Sequence, residues 1–293
     1  LKGATHIRGR HIFTLIEIMV VLAIVGILMG MILPSFVMVK QRAKFTRWLM
    51  YNLQMSSDST TVLNYNFMDT TYKIRSGAAM APAVRNSAVG CGADGFIPAL
   101  YDGVLVNGPE WVERGGRWSF NNAIQLDGRD DYIEVPGVMA LDFKPGVDDY
   151  TISIWCRFDK AAGTVGLFAK SEWAKVAQYD LYLQGKKLIA DAGLAASSWK
   201  SPAPVAGRWT NYTLVCSGMN MELYCDGAPM GVEKKVRPAN SNVSPAKFLV
   251  GAIGSKGGAP KFNFQGRIDE LLVIGRALSA SEVRGIYEMG NPY

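Results

Sequence analysis

Ile124-Gln-Leu-Asp-Gly-Arg-Asp-Asp-Tyr-Ile-Glu-Val135, followed shortly by Tyr150-Thr-Ile-Ser-Ile-Trp-Cys156, sets the architecture of most of this chain. Both stretches alternate β-branched or aromatic residues with polar ones, the period-2 pattern of half-buried strands. In the second, Ile152, Ile154 and Cys156 share one face, and Ser153, Trp155 and Arg157 share the other. Runs of the same texture follow at Tyr179-Asp-Leu-Tyr-Leu183, Trp209-Thr-Asn-Tyr-Thr-Leu-Val-Cys216 and Met221-Glu-Leu-Tyr-Cys225. Asp127-Gly128 and Asp226-Gly227 supply residues tolerant of positive φ, and Ser217-Gly-Met-Asn220 joins two strands as a hairpin. Short strands at this spacing predict an all-β sandwich over residues 62–293. One helical pattern interrupts it near the end, Ser279 to Tyr287, opening on Ser279 with Glu282 three residues later as in a capping box.

Towards the N-terminus the texture changes. From Phe13 to about Gln54 the pattern is helical, and Ile18 to Leu33 carries no charge. With the turn that precedes it, this run reaches the roughly 20 residues needed to cross a bilayer. Leu33-Pro34-Ser35-Phe36 leads into more helix rather than into a small-residue cleavage site, so the expectation is a retained helix rather than a signal peptide. Pro34 predicts a kink or a locally melted turn. Gly26 and Gly30 form a G-x-x-x-G pair at which a second helix can approach. Beyond Pro34, Phe36, Val39, Ala43, Met50 and Leu53 recur at helical spacing with Lys40, Arg42, Lys44 and Arg47 between them, an amphipathic continuation. Glu17 stands at the entrance to the apolar run, where a carboxylate costs a few kcal/mol unless it finds a partner.

Composition excludes several functions. The net charge of +6 comes from scattered basic residues, the only dense group being Lys40 to Arg47 directly after the apolar helix, which argues against nucleic-acid binding. The only two histidines, His6 and His11, precede that helix, so the β-rich part has no Ser-His-Asp, Cys-His or histidine-metal arrangement. Asp127, Asp130, Asp131 and Glu134 cluster, but the pattern fits turn solvation better than a glycosidase carboxylate pair. The four cysteines, Cys91, Cys156, Cys216 and Cys225, are too widely spaced for a zinc site; three fall in strands as small hydrophobes, and export would allow one disulfide. Trp111, Trp173 and Trp199 lie in irregular segments, where they either stack on sugar rings or fill the core. Asn211-Tyr-Thr213 matches a glycosylation sequon but sits within a strand.

Phe13-Thr-Leu-Ile-Glu17, with Pro34 downstream, resembles the N-terminal segment of type IV pilins and type II secretion pseudopilins. The resemblance implies a leader over residues 1–12, removed between Ile12 and Phe13 by a prepilin peptidase, and methylation of the new Phe13 amine. It further implies that the helix over 13–58, membrane-spanning in its first half, packs with other copies into a filament core. In that scheme Glu17 neutralises the Phe13 amine of an adjacent subunit, and Gly26, Gly30 and Pro34 belong to the assembling helix. The chain would sit in the inner membrane before assembly and in an extracellular or periplasmic filament afterwards. Ile12 departs from the family, which usually has Gly, less often Ala, before the cut. Basic residues flank the apolar run on both sides, so orientation rests on the resemblance rather than on charge.

The remainder, Val62 to Tyr287, resembles the laminin G-like, concanavalin A-like jelly rolls. It does so through Asn64-Tyr-Asn-Phe67, the two opening stretches, Leu223-Tyr-Cys-Asp-Gly227, Phe264-Gln-Gly-Arg-Ile-Asp-Glu-Leu271 and Gly275-Arg-Ala-Leu-Ser279. The expected fold class is therefore α+β: a long apolar N-terminal helix followed by an all-β jelly-roll head. Relatives hold calcium with oxygen ligands near the first and last strands, which implies Asp69 and Asp269 as candidate Ca2+ ligands; the alternative is that Asp269 caps backbone amides. Trp173 and Trp199 are the candidate glycan contacts. The expected function is structural and non-enzymatic, a filament or pseudopilus subunit. The alternative is a membrane-tethered lectin-like adhesin that does not polymerise.

Overall fold

The computed structural model describes residues 14–76, 79–90, 97–136, 139–173, 177–193, 195–200, 204–231, 234–236, 246–255 and 258–293. The chain divides into two compact units, Leu1–Thr46 and Arg47–Tyr293. Helix α1 (Leu15–Ser57) begins in the first and ends in the second.

In the first unit the apolar side chains of α1 are open to their surroundings: Leu15 is 79% exposed, Leu28 51% and Val39 64%. An 18-residue window reaches a mean hydropathy of 2.8, so length and composition suffice to cross a membrane. The melted turn expected at Pro34 does not form, since the helix is continuous from Leu15 to Ser57. A proline forfeits one i→i−4 bond, and the flanking ladder carries the helix across. Ser35 Oγ donates to Met31 O at 3.2 Å within that turn. A Cβ placed on Gly26 or Gly30 would meet nothing within 4 Å.

The second unit is a β-sandwich. Among the described residues, two nine-stranded antiparallel sheets build it, beside a small three-stranded sheet of Glu172–Trp173, Ile253–Ser255 and Gly258–Lys261. The first runs in the order Asn220–Cys225, Trp209–Ser217, Tyr150–Phe158, Gln265–Ile274, Ala123–Asp127, Glu110–Val112, with Thr61–Tyr65 paired to the far half of Gln265–Ile274. At the centre of the second lie Ala177–Gln184, Thr164–Lys170, Phe248–Val250 and Tyr132–Val135. Ile152, Ile154 and Cys156 join Leu214, Leu223, Phe168 and Phe248 in one continuous core, so the expected inward face is inward. The predicted hairpin is present: Gly218 takes φ +52 in the two-residue loop between Trp209–Ser217 and Asn220–Cys225.

The opposite face of the first sheet is also buried. Helix α2 (Ala280–Gly290) opens with the expected capping box, Ser279 and Glu282 exchanging bonds. Its Val283 and Ile286 pack with Val215, Leu272, Ile274 and Met55, and Tyr287 stacks on Trp155 with centroids 5.7 Å apart. The last turns of α1 cover the neighbouring area through Trp48, Asn52, Met55 and Ser56. This is not the stripe that hydrophobic spacing selects, because Met50 is 65% exposed and Leu53 54%. Hydrogen bonds choose the face instead: Trp48 Nε1 donates to Glu270 at 3.0 Å, Asn52 Nδ2 to Asn64 Oδ1 at 3.2 Å, and Asn64 Nδ2 to Ser56 Oγ at 2.8 Å. Buried amides left without such partners would each cost about 1–3 kcal/mol. The compact unit that contains the sandwich thus takes in the last turns of α1 from Arg47.

Candidate functional site

Glu17 occupies the first turn of α1. Its Oε2 accepts from the backbone N and from Oγ1 of Thr14, both at 2.8 Å, while Glu17 N donates to Thr14 Oγ1 at 3.4 Å. Thr14-x-x-Glu17 is thus a reciprocal capping box that satisfies orphan amides at a helix start. The Thr14-x-x-Glu17 spacing that forms it is local in the sequence. Ile12, Phe13 and the expected leader 1–12 lie outside the described residues, as do His6, His11 and Cys91.

In the head, the expected calcium ligands are separated in role. Asp69 is exposed, and its Oδ1 accepts from Thr71 N and Oγ1, both at 3.0 Å. Asp269, on the strand Gln265–Ile274, is fully buried. Its Oδ2 accepts from Arg117 N at 2.5 Å, its Oδ1 from Asn121 Nδ2 at 2.8 Å, and Arg117 Nη1 lies 3.3 Å from Oδ1. Burial pushes the Asp269 carboxyl up to about 6, with Arg117 and its amide pulling the other way. A guanidinium already neutralises this carboxylate, so the donor set does not fit a calcium ion at Asp269. The amide-capping alternative matches the bond from Arg117 N.

Arg117 is the centre of this cluster. It donates from Nε to Gly290 O at 2.7 Å, pairs with Glu270, and stacks between the Trp48 and Trp155 rings at 5.2 and 4.7 Å. Sequence gave no warning of it, because Gly115-Gly-Arg-Trp118 carries no periodicity and its partners lie some 150 residues away in the chain.

The aromatic candidates also resolve. Trp199 is 3% exposed and belongs to the core, so it cannot stack on a sugar. Trp173 falls in the short strand Glu172–Trp173, and its side chain lies outside the described part of the structure. Trp111 is half-buried on the strand Glu110–Val112. Asn211 of the sequon is fully buried, with its amide on Ser153 Oγ at 3.0 Å, so no glycan reaches it. Cys156, Cys216 and Cys225 are free thiols, and the disulfide allowed by export does not form among them. Burial pushes Cys216 and Cys225 up to about 12, which keeps both protonated and inert.

The carboxylates Asp127, Asp130 and Asp131 come together with oxygens within 4.8 Å of one another. Their bonds are those of a turn: Asp127 accepts from Arg129 N at 2.8 Å and Asp131 from Asp127 N at 3.1 Å. Glu134 is drawn off by Lys247 at 2.5 Å.

A second acidic pair, not singled out by the sequence, lies on the other sheet. Asp180 and Asp191 face each other across the strands Ala177–Gln184 and Lys187–Gly193. Asp180 is 3% exposed, accepts from Ser171 Oγ at 2.8 Å, and is pushed up to about 8 by burial and then by Asp191. Its folded value exceeds its unfolded one, so the folded state holds the proton more tightly. Stability from this group is present below about pH 4 and is lost as pH rises towards 8. Asp180→Asn should therefore leave Tm unchanged at pH 4 and raise it by roughly 5 °C at pH 8.5, measured by calorimetry. A gain that is equal at both pH values would rule out titration of Asp180 as the cause.

Comparison with known proteins agrees with this architecture. A family model described as the concanavalin A-like lectin/glucanases superfamily matches residues 127–284. Among solved structures, a Trypanosoma rangeli sialidase mutant displaying trans-sialidase activity is similar at TM-score 0.55 and 14% identity, over 80% of this chain and 34% of that one. The same sialidase in complex with sialic acid gives 0.55 and 16%, over 78% and 33%. The binding domain of botulinum neurotoxin serotype D gives 0.52 and 13%, over 81% and 55%. This chain thus spans only a third to a half of those lengths, and at such identities the likeness is one of fold. No curated protein sequence matches the chain.

Proposed function

The chain belongs to the concanavalin A-like lectin/glucanases superfamily, and from that premise we propose that it is a structural subunit which displays a lectin-like head on a self-assembling helix. The observation that carries this is the first unit: the apolar side chains of α1 from Leu15 to Val39 are exposed along their length, with a carboxylate at the entrance. Hydrocarbon or other copies of the same helix would cover such a surface. A prepilin peptidase would cut between Ile12 and Phe13, and the helices would pass from the inner membrane into a pilus-like filament or secretion pseudopilus. Gly26 and Gly30, open on their Cβ sides, are where a neighbouring helix would approach closely.

The bond from Thr14 to Glu17 favours a second reading, a membrane-tethered lectin-like adhesin. A capping box gives the glutamate a partner within its own chain and requires no neighbour. Electron microscopy of surface or sheared filaments, with N-terminal sequencing of their subunit, separates the two. Filaments whose subunit begins at Phe13 are expected; membrane-bound protein without filaments and with an uncut leader would favour the adhesin.

A further inference from the structure

We propose that the open edge of the strand Lys73–Ser76 takes up an acidic, extended segment of a partner protein as an added antiparallel strand. This concerns the head alone and is independent of whether the helix polymerises. Lys73–Ser76 is the last strand of the second sheet; it pairs with Ala79–Val84, and among the described residues no strand lies on its other side. Ala79–Val84 meets Gly103–Val106 only through Ala83 and Val84, so the rest of the hairpin runs on beyond that ladder.

The register fixes which backbone groups are unspent. Lys73 stands opposite Pro82, which has no N–H, so these two cannot exchange the paired bonds of a hydrogen-bonded position. Ala83 N donates to Tyr72 O at 3.1 Å, so the bonded positions on this strand are Tyr72 and, by alternation, Ile74 and Ser76. The N–H and C=O groups of Lys73 and Arg75 therefore point to the open edge, at the two-residue spacing that a further strand requires.

Side chains select the partner. Lys73, Arg75, Met80 and Pro82 share one face of the hairpin and are all exposed, while Ile74 and Ala81 on the other face are half-buried. Residues 70–84 hold two cations, Lys73 and Arg75, and no carboxylate. Charge on an open edge guards against pairing with a copy of itself, and like charges directly opposite destabilise a strand pair, so a second Lys73–Ser76 is repelled. Glutamate or aspartate at alternate positions of an incoming strand meets the same two cations as cross-strand partners and is attracted.

The test is a fluorescence-anisotropy titration of the full chain, held in phosphatidylcholine nanodiscs, with the labelled peptide Thr-Glu-Val-Glu-Val-Thr. Binding is expected with Kd below about 1 mM, weakening as salt rises. Arg75→Glu and Lys73→Glu, both at exposed positions, should each weaken it at least about tenfold, with circular dichroism unchanged. The same peptide methylated on its two glutamate nitrogens keeps its charge but cannot donate to the edge, and should not bind. No binding of the unmodified peptide, equal binding of the methylated one, or affinity unaltered in both variants would each overturn the proposal. So would self-association of the chain alone that Arg75→Glu abolishes, since the edge would then belong to a second copy.

Discussion

Arg117→Ala is expected to lower the stability of the head by about 3–5 kcal/mol, a large share of the roughly 5–15 kcal/mol available to a domain, and to abolish its cooperative melting near physiological temperature. Arg117 is 4% exposed and holds Asp269, Glu270, the carbonyl of Gly290 and two indole rings in place. Its removal strands two carboxylates in the interior. Arg117→Lys should recover little, because an ammonium lacks the planar fork that meets several acceptors and stacks between rings. Acid should recover part of the loss. Asp269 already sits near 6, and without the guanidinium its carboxyl would stay neutral at pH 5, so the variant's deficit shrinks as pH falls. In the same melts, calcium or a chelator should leave the wild-type Tm unchanged, since an arginine rather than a metal balances Asp269. A rise of several degrees with calcium would restore the metal reading.

Glu17→Gln should abolish assembly while leaving the head folded, with filament yield reduced roughly 100-fold for an interaction of about 2.5–3.5 kcal/mol. Glutamine is chosen because it separates two roles. A capping box accepts Gln at its fourth position as well as Glu, so the bonds to Thr14 can persist without the charge. If Glu17 serves only to cap α1, Glu17→Gln assembles like the wild type and only Glu17→Ala is impaired. If it neutralises a neighbour's Phe13 amine, both fail alike. Filament counts by electron microscopy, with circular dichroism of the extracted chain, read both outcomes.

Much of the head was legible before folding. Ala123–Asp127 and Tyr132–Val135 end where the alternation ends, and the capping box at Ser279 and the turn at Gly218 form as their chemistry dictates. These features depend on a few adjacent residues. The roles of Asp269 and Trp199 stayed open for the opposite reason. An aspartate on a last strand looks the same whether it faces a cation or a guanidinium, and a tryptophan in an irregular-looking segment looks the same whether it faces water or the core. The choice rests on residues far away in the chain, as Arg117 and Asp269 demonstrate.

By itself the sequence determined the class of each part: a continuous apolar helix, because its side chains repeat without charge over enough turns to span a bilayer, and an all-β unit, because period-2 alternation in short runs between turns is the pattern of half-buried strands. Tertiary structure alone decided how far the head extends and which carboxylates are spent. The last turns of α1 join the compact unit that begins at Arg47 because Trp48, Asn52 and Ser56 bond to Glu270 and Asn64 on the sheet. Asp269 became an ion-pair partner because folding delivers Arg117 to it in a space without solvent. Local pattern encodes what neighbours in the chain can do for one another; the pairing of buried polar groups is a property of the assembled interior, where each must find its partner or be paid for in stability.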